Sequence, residues 1–549
     1  MEKKHSETKM FILLFLCLAA LYLVALGHWG LLDPDEGRYA EIPREMLERG
    51  DFVTPKLNYV DYFEKPILHY WATALSLKVF GLKEFAARLF PALSALGGLI
   101  LTYILGRKML DEKAGLLAGA ILGTNLLYFA IGQINIIDMP LTFFLTLSIT
   151  GLWFGIRYER RTFAIFYLGM ALALLTKGLI GVVLPGGILF WWIVLTRRWD
   201  VIKKSLYLPG IMLFFLIAAP WFVAVSIKNP DFPYFFFVRE HFLRYTTKIH
   251  GRYEPWWWFI PILLVGFIPW AGFLPKALAK AMPRTLKNMQ PLDEDKLFLL
   301  LWFLVIFVFF SLSDSKLIPY IVPVFPPLAL LSSHHIMYSS FQEKGRKNKL
   351  PGLFINIGAA LLFGLALIAY PFFDEHYGPA VLLPYSLPPA IALIGYGIFS
   401  IFSYLRGSKK ALLAGMVAFA FLFTAALKPI FGFYGQIMSS KHLATVLEKV
   451  LSPTDLVAQY RTYDHSLSFY LKRRIALVDY LGELEYGAKK AKDDDWFLDM
   501  GSFINKYWNT DKRVILIMRA GEKIKLPQRS KNPITIYRDD RRVVLANQE

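Results

Sequence analysis

The sequence predicts an α-helical polytopic membrane protein of about thirteen spans, followed by a small C-terminal α/β domain. Three observations carry this. Hydrophobic residues make up 56% of the 549-residue chain and charged residues 19%, with a mean hydropathy of +0.43, outside the range of an ordinary soluble domain. The apolar residues fall into blocks of roughly 15–25, the helical length that crosses a hydrocarbon core of about 30 Å. Residues 436–549 contain no such block and instead alternate short apolar runs with helical patterns.

The thirteen blocks are 10–30, 84–106, 114–131, 138–156, 162–176, 178–196, 205–227, 256–275, 297–313, 318–338, 351–372, 381–405 and 411–431. Lys3, Lys4 and Lys9 precede the first block. No small-x-small cleavage site follows it, so an uncleaved first helix is expected instead of a signal peptide. Alternate connections hold Arg107 and Lys108; Arg157, Arg160 and Arg161; Arg197, Arg198, Lys203 and Lys204; Lys344, Arg346, Lys347 and Lys349; and Arg406, Lys409 and Lys410. Short loops rich in Lys and Arg stay in the cytoplasm. The N-terminus therefore lies inside, and the first loop (31–83) and the C-terminal region lie outside, in the periplasm of a bacterial inner membrane. The net charge of +19 belongs mostly to these loops and forms no single nucleic-acid-binding module. The one cysteine, Cys17, sits in the first span and has no partner for a disulfide.

Within this division, 1–435 is the membrane domain and 436–549 the outer domain. Strands are expected at Leu456–Tyr460, Ile475–Val478, Val514–Met518 and Ile534–Tyr537, with helices at His442–Leu451 and Phe497–Tyr507. The domain has no Gly-rich phosphate loop and no Cys/His metal spacing. It is expected to support or guide substrate and not to catalyse.

The first loop is where the charge concentrates. Five Lys/Arg and nine Asp/Glu lie between Leu31 and Pro66, and acidic side chains beside a bilayer mark function by default. Asp33-Pro34-Asp35-Glu36 reads as a helix start, with Asp33 as N-cap and Glu36 closing a capping box. Asp35 has no capping duty, and the positive helix end favours its ionised form. It is the expected catalytic residue. Arg38 and Tyr39 follow on the same helix face. Tyr62-Phe63-Glu64-Lys65-Pro66 forms a second charged cluster. The helix after it carries an apolar stripe (Ile67, Leu68, Trp71, Leu75) and Lys78, and is expected to lie along the interface.

Three further outer positions are candidates. Asp138 opens a span in D-M-P, where a helix N-cap is the structural alternative. The loop from Lys228 to Pro255 carries Arg239, Glu240, His241 and Arg244 among many aromatics, and arginine grips phosphate with a planar fork. Lys316 and Tyr320 sit at a short turn. Glu64, Asp138 and His241 are O/O/N donor types suited to a divalent cation, zinc or magnesium, although their spacing gives no support.

Taken together, D-P-D-E-G-R-Y-A-E-I-P-R-E-M, Y-F-E-K-P, D-M-P, T-K-G, F-F-F-V-R-E-H-F-L-R-Y and S-K-L-I-P-Y give the chain a marked likeness. It resembles the GT-C polytopic glycosyltransferases, and among them the bacterial lipid A aminoarabinose transferases. The resemblance implies transfer of 4-amino-4-deoxy-L-arabinose from undecaprenyl phosphate to a lipid A phosphate. It implies Asp35 as the catalytic carboxylate and places Arg38, Tyr39, Tyr62, Glu64, Lys65, Arg244 and Tyr320 around the carrier phosphate. It also puts Glu64, Asp138 and His241 at or near a metal position.

If the acceptor is a hydroxyl, Asp35 suits a general base. If it is a phosphate monoester, whose second pKa is about 6, Asp35 instead positions the acceptor or stabilises positive charge on the sugar. Two other readings compete: a transferase acting on protein or another glycan, and a lipid transporter or flippase. The latter would place charges near the bilayer midplane in repeated halves, whereas the main charges here lie at the outer ends of spans.

Overall fold

The computed structural model describes residues 2–243, 254–286, 289–339, 350–491, 495–524 and 527–548, with the side chains of 2–8, 241–243 and 339 left out. Among these residues, seven helices are long and apolar enough to cross a membrane: Glu84–Met109, Asp138–Arg157, Leu208–Lys228, Pro291–Leu312, Leu353–Phe372, Gly378–Leu405 and Lys409–Met438. The pair Phe259–Gly266 and Ala271–Ala281 is bent by 118°. The chain is a multi-pass membrane protein.

Several of the thirteen expected blocks are helical but interrupted, for visible reasons. Block 114–131 breaks at Asn125, whose side chain accepts the Tyr128 N–H and so caps a second, six-residue helix. Block 256–275 turns near Pro269, which cannot continue a helical ladder. Block 318–338 begins as a 3-10 segment, Ile318–Val324, because prolines at 319, 323, 326 and 327 remove successive N–H donors. Lys9–Leu23 and Ile180–Thr196 are apolar but shorter than the seven.

The chain divides into two compact units. The first comprises Met1–Leu26, Lys65–His69 and Arg88–Phe433. In it, Asp138–Arg157 is packed among other helices, whereas Leu208–Lys228 exposes Met212, Phe215, Leu216, Val223 and Ile227, the pattern of a helix facing lipid. Helices Asp138–Arg157 and Phe163–Lys177 meet backbone to backbone. A Cβ at Gly151 would lie 2.5 Å from the Phe166 nitrogen, and one at Gly169 would lie 2.4 Å from the Ser148 nitrogen. Such small-residue contacts let membrane helices gain packing where no hydrophobic driving force separates them from lipid.

The second unit comprises Gly27–Glu64, Tyr70–Ala87 and Tyr434–Glu549. The first loop, which the sequence assigns to the membrane domain, therefore packs with the C-terminal domain. Its helix Asp35–Arg49 ends at Gly50 in the left-handed region, φ 66°, and leads to a short antiparallel ladder, β1 (Lys56–Leu57) and β2 (Val60–Asp61). Asn58 and Tyr59 at the ladder turn both have positive φ, 51° and 67°, as a tight hairpin demands. Leu68–Phe80 follows as a 13-residue helix with Leu75, Val79 and Phe80 exposed, too short to span and shaped for an interface.

The C-terminal part forms one six-stranded sheet in the order β5-β4-β3-β6-β8-β7. β3 (Leu456–Tyr460), β4 (Ala476–Val478), β5 (Phe497–Leu498) and β6 (Val514–Arg519) are parallel, and β8 (Arg542–Ala546) and β7 (Ile534–Arg538) add on antiparallel. The four expected strands are present. The expected helix Phe497–Tyr507 opens as strand β5 and becomes helical from Met500. β8 is the strand that the sequence reading lacks. Leu456, Ala458, Tyr460, Val514, Leu516 and Met518 bury one face beneath Phe503, Ile504 and Trp508. The alternate residues Val457, Gln459, Ile515 and Ile517 are buried on the other face, as a parallel sheet covered on both sides requires.

Within this second unit Asn58 ties the ladder to the sheet. Its amide donates to the Ile475 carbonyl at 2.9 Å and accepts the Ile475 N–H at 3.0 Å, fully buried. Asn58→Ala removes both bonds and places a side chain without αL tolerance at positive φ. We expect a loss of about 2–4 kcal/mol, read as a lower melting temperature of the detergent-solubilised protein. Asn58→Asp, which keeps the acceptor, should fall between the two.

Candidate active site

One charged cluster forms at the opening turn of the loop helix. Gly37 is required there: a Cβ would lie 2.4 Å from the Ser466 nitrogen and 2.7 Å from Asp33 Oδ1. Asp33 is not the N-cap that the sequence suggests. The helix starts at Asp35 after Pro34, without a side-chain cap, and the Asp33 carboxylate turns to the C-terminal domain. It accepts the Ser466 N–H at 2.7 Å and the hydroxyls of Ser466 and, at 3.1 Å, Ser440. Three donors outcompete one helix-end N–H. Glu36 does reach back, but to the Leu32 N–H at 3.0 Å. Burial and the neighbouring Asp464 push the Asp33 carboxyl up to about 6, against the opposing pull of His465 and Ser466.

Arg38 is the centre of this cluster. Its guanidinium pairs with Asp35 through one nitrogen and with Glu483 through another, and lies 5.2 Å from the centre of the Tyr39 ring. Only 12% of the Arg38 side chain is exposed, against 57% for Asp35 and 18% for Glu483. His465 binds the other oxygen of Glu483, and the Tyr62 hydroxyl donates to Glu483 at 3.2 Å. Burial alone would raise the Glu483 carboxyl, but Arg38 and His465 outweigh it and hold it well below the usual carboxylate range. Burial pushes the Tyr62 and Tyr70 phenols up, and Glu64 and Glu483 add to this while Arg38 opposes it. The Tyr39 and Tyr70 rings stack at 6.0 Å. The result is a fixed guanidinium presenting an accessible Asp35 carboxylate, backed by neutral phenols. Such a group can orient an acceptor, accept its proton or face cationic charge on a sugar.

The remainder of the helix braces this turn. Arg44 binds both oxygens of Glu41 at 2.7 Å, and Glu45 accepts the Tyr59 N–H at 3.0 Å. Burial and the Glu41 charge push Glu45 up to about 8.

The membrane unit holds the other candidates. Asp138 begins its helix but makes no cap bond. The N-cap alternative gives way to an ion pair, because Lys177 Nζ reaches Asp138 Oδ1 at 2.5 Å with both side chains about 10% exposed. The same ammonium lies 4.2 Å from the centre of the Tyr320 ring. Lys316 donates to the Glu254 carbonyl at 2.8 Å and to the Ser313 carbonyl. Lys65 of this unit and Glu64 of the second unit are partly buried. The His241 side chain and all of Arg244 lie outside the described residues.

Among the described residues no three His, Cys, Asp or Glu side chains are grouped to hold a metal ion. Asp138, the buried member of the expected donor set, is instead held by an ammonium, which is a poor fit to a cation site.

The comparisons with known proteins follow this geometry. Residues 8–236 match the family model for dolichyl-phosphate-mannose-protein mannosyltransferase, and residues 443–547 match that for the aminoarabinose transferase C-terminal domain. An undecaprenyl phosphate-α-4-amino-4-deoxy-L-arabinose arabinosyl transferase of Pseudomonas fluorescens is 32% identical over 481 residues, 85% of this chain and 84% of its own. The chain belongs to this arabinosyl transferase family. A relative from Erwinia tasmaniensis is 29% identical and covers 94% of each chain. The crystal structure of ArnT from Cupriavidus metallidurans bound to undecaprenyl phosphate superposes with a TM-score of 0.83 at 29% identity, covering 98% of each chain. The fold is therefore that of a GT-C glycosyltransferase, and the chain is an enzyme of that class.

Within this family fold, the sequence reading found Asp35, Arg38 and Tyr62, which the structure brings together. It missed Glu483 and His465, their partners from the C-terminal domain. It quoted Lys177 in T-K-G without a role. A lone lysine ending an apolar span was the available signal for Lys177, since a buried ammonium needs an anion.

Two outcomes test this arrangement. Lys177→Met should strip Asp138 of its counter-charge and destabilise the protein by about 3–5 kcal/mol. Adding Asp138→Asn should recover much of that loss in the same thermal-unfolding assay. For Asp33, the folded value of about 6 stands above the ordinary 3.8, so the group's stabilising contribution is complete below about 3.8 and is lost as pH rises through about 6. The difference in melting temperature between the wild type and Asp33→Asn should change across that interval and level off above it.

Proposed function

We propose that this chain moves 4-amino-4-deoxy-L-arabinose from undecaprenyl phosphate to a phosphate of lipid A, at the periplasmic face of the bacterial inner membrane. The observation that carries the reading is the accessible Asp35 carboxylate locked onto buried Arg38 at the first turn of the loop helix. The donor follows from the names of relatives that share nearly the whole chain. The acceptor follows from the resemblance of the first-loop motifs. The periplasmic orientation follows from the Lys/Arg distribution.

In this reaction the bond from the sugar's anomeric carbon to the carrier-phosphate oxygen breaks, and the leaving phosphate takes the electron pair. A lipid A phosphate oxygen supplies the new bond. A phosphate with a second pKa near 6 is mostly dianionic at neutral pH, so Asp35 has little proton to remove. Its task is to position the acceptor and to stabilise the positive charge that builds on the ring as the leaving group departs. Arg38 pairs with the carboxylate and sets its direction. Arg244 and Lys65, with Tyr39, Tyr62 and Tyr320, are the proposed neighbours of the carrier phosphate. The Asp138–Lys177 ion pair does not suit a divalent-cation site built from Glu64, Asp138 and His241; metal analysis of the purified protein tests this, and a stoichiometric bound cation would overturn it.

The match of residues 8–236 to protein mannosyltransferases supports a second reading, with protein or another glycan as acceptor. The match of 443–547 to aminoarabinose transferases favours lipid A. Mass analysis of lipid A from cells with and without the gene separates them: the first reading expects an added aminoarabinose mass, the second unchanged lipid A. In the purified system, Asp35→Asn should lower kcat by at least about 100-fold. Near-normal turnover would remove Asp35 from the chemistry.

A further inference from the structure

The C-terminal sheet carries a feature that its expected supporting role does not use. β3 continues to β4 on one side, and β6 joins β3 on the other. That reversal of direction makes the carboxyl end of β3 and β6 a topological switch point, the place where open α/β sheets bind ligands. The last residues paired across this seam are Gln459 and Ile517. Two positions further on each strand stand Arg461 and Arg519.

Both arginines are exposed. Arg461 is held at φ 54°, and Asp479 at the end of β4 at φ 52°, backbone states that ordinary side chains avoid and that gather at binding sites. The contacts of Arg461 with Asp479 at 4.0 Å and Glu522 at 3.7 Å are long. At these lengths neither carboxylate makes a hydrogen bond to the guanidinium, and an oxyanion could displace them to bind its fork with two parallel bonds. Arg519 has no hydrogen-bond or ion-pair partner for its guanidinium among the described residues. Burial, Glu483 and Asp464 push the Tyr480 phenol up, while Arg519 and Arg38 oppose this. Glu483, three residues on, is the group that holds Arg38.

We propose that Arg461 and Arg519 bind a second oxyanion of the acceptor glycolipid, one other than the phosphate that receives the sugar. The proposal rests on the functional reading above. The oxyanion is either another phosphate or the carboxylate of an attached sugar acid. The switch point then reads the acceptor's charge pattern and presents its reacting phosphate to Asp35. These arginines touch no reacting atom and act as specificity determinants.

The test uses the full-length protein in lipid nanodiscs with the undecaprenyl-linked donor. Three acceptors are compared: lipid A with two phosphates, lipid A with one, and the one-phosphate form carrying sugar-acid residues. The variant is Arg461→Asn with Arg519→Gln, asparagine being tolerated at positive φ. We expect its KM for the two-phosphate acceptor to rise at least tenfold while KM for the donor stays within twofold. The wild type's preference among acceptors should collapse. A preference restored by sugar acids in the wild type assigns the oxyanion as carboxylate, and one that needs the second phosphate assigns it as phosphate. Arg519→Gln alone, at an exposed unpaired side chain, gives the same direction of change if the double variant misfolds. The lysine pair should recover part of the affinity. An acceptor KM within twofold of wild type, or an equal rise in donor KM, overturns the inference while leaving the functional reading in place. Failure of the wild type to modify any of the three acceptors overturns both.

Discussion

Charge compensation around Arg38 is the constraint on which the second unit of this enzyme rests. A guanidinium that is almost fully enclosed loses several kcal/mol of hydration, and it recovers this only by forming charge-assisted bonds. Glu483 and Asp35 supply those bonds. The two carboxylates do so from opposite situations. Glu483 is enclosed and gripped by His465 as well, whereas Asp35 keeps more than half its surface in solvent. The buried member fixes the fork, and the fork fixes the exposed member. Asp35 is thereby aimed without being desolvated, and a substrate can reach it without first breaking a buried ion pair.

The same logic explains why the loop helix is so acidic. Glu41, Glu45 and Glu48 flank Arg44 and the Tyr59 backbone, so the acids that stood out as surplus charge mostly hold the helix to the hairpin. Of the nine acidic residues between Leu31 and Pro66, few face solvent as freely as Asp35. Charge density located the region, and burial decided which member of it is open to chemistry.

This marks the boundary of what the sequence made legible. Hydropathy found the seven long apolar helices because lipid imposes one length scale. It could not see that Asn125 or the prolines between 319 and 327 would interrupt other blocks, since an interrupted span has the same composition as a continuous one. Periodicity found β3, β4, β6 and β7, but β5 was read as the start of a helix and β8, a short apolar run after Arg541 and Arg542, escaped. Asp33 was misread as a cap because local rules stop at the next few residues, and its real partners, Ser440 and Ser466, lie more than 400 positions away. Glu483 escaped for the same reason. Asp35 and Arg38 were readable because their relation spans a single helical turn.

That separation has a consequence for how the protein is made. Arg38 and Glu483 are 445 residues apart, so a growing chain inserts every membrane helix before the counter-ion of its earliest polar helix exists. Until then Arg38 has Asp35 alone, and the Asp33 carboxylate lacks its serine donors. Pairing over so long a stretch is slow and late in folding. The buried ion pair that aims Asp35 therefore cannot close until residue 483 has been made, and the opening turn of the loop helix is among the last parts of the fold to be completed.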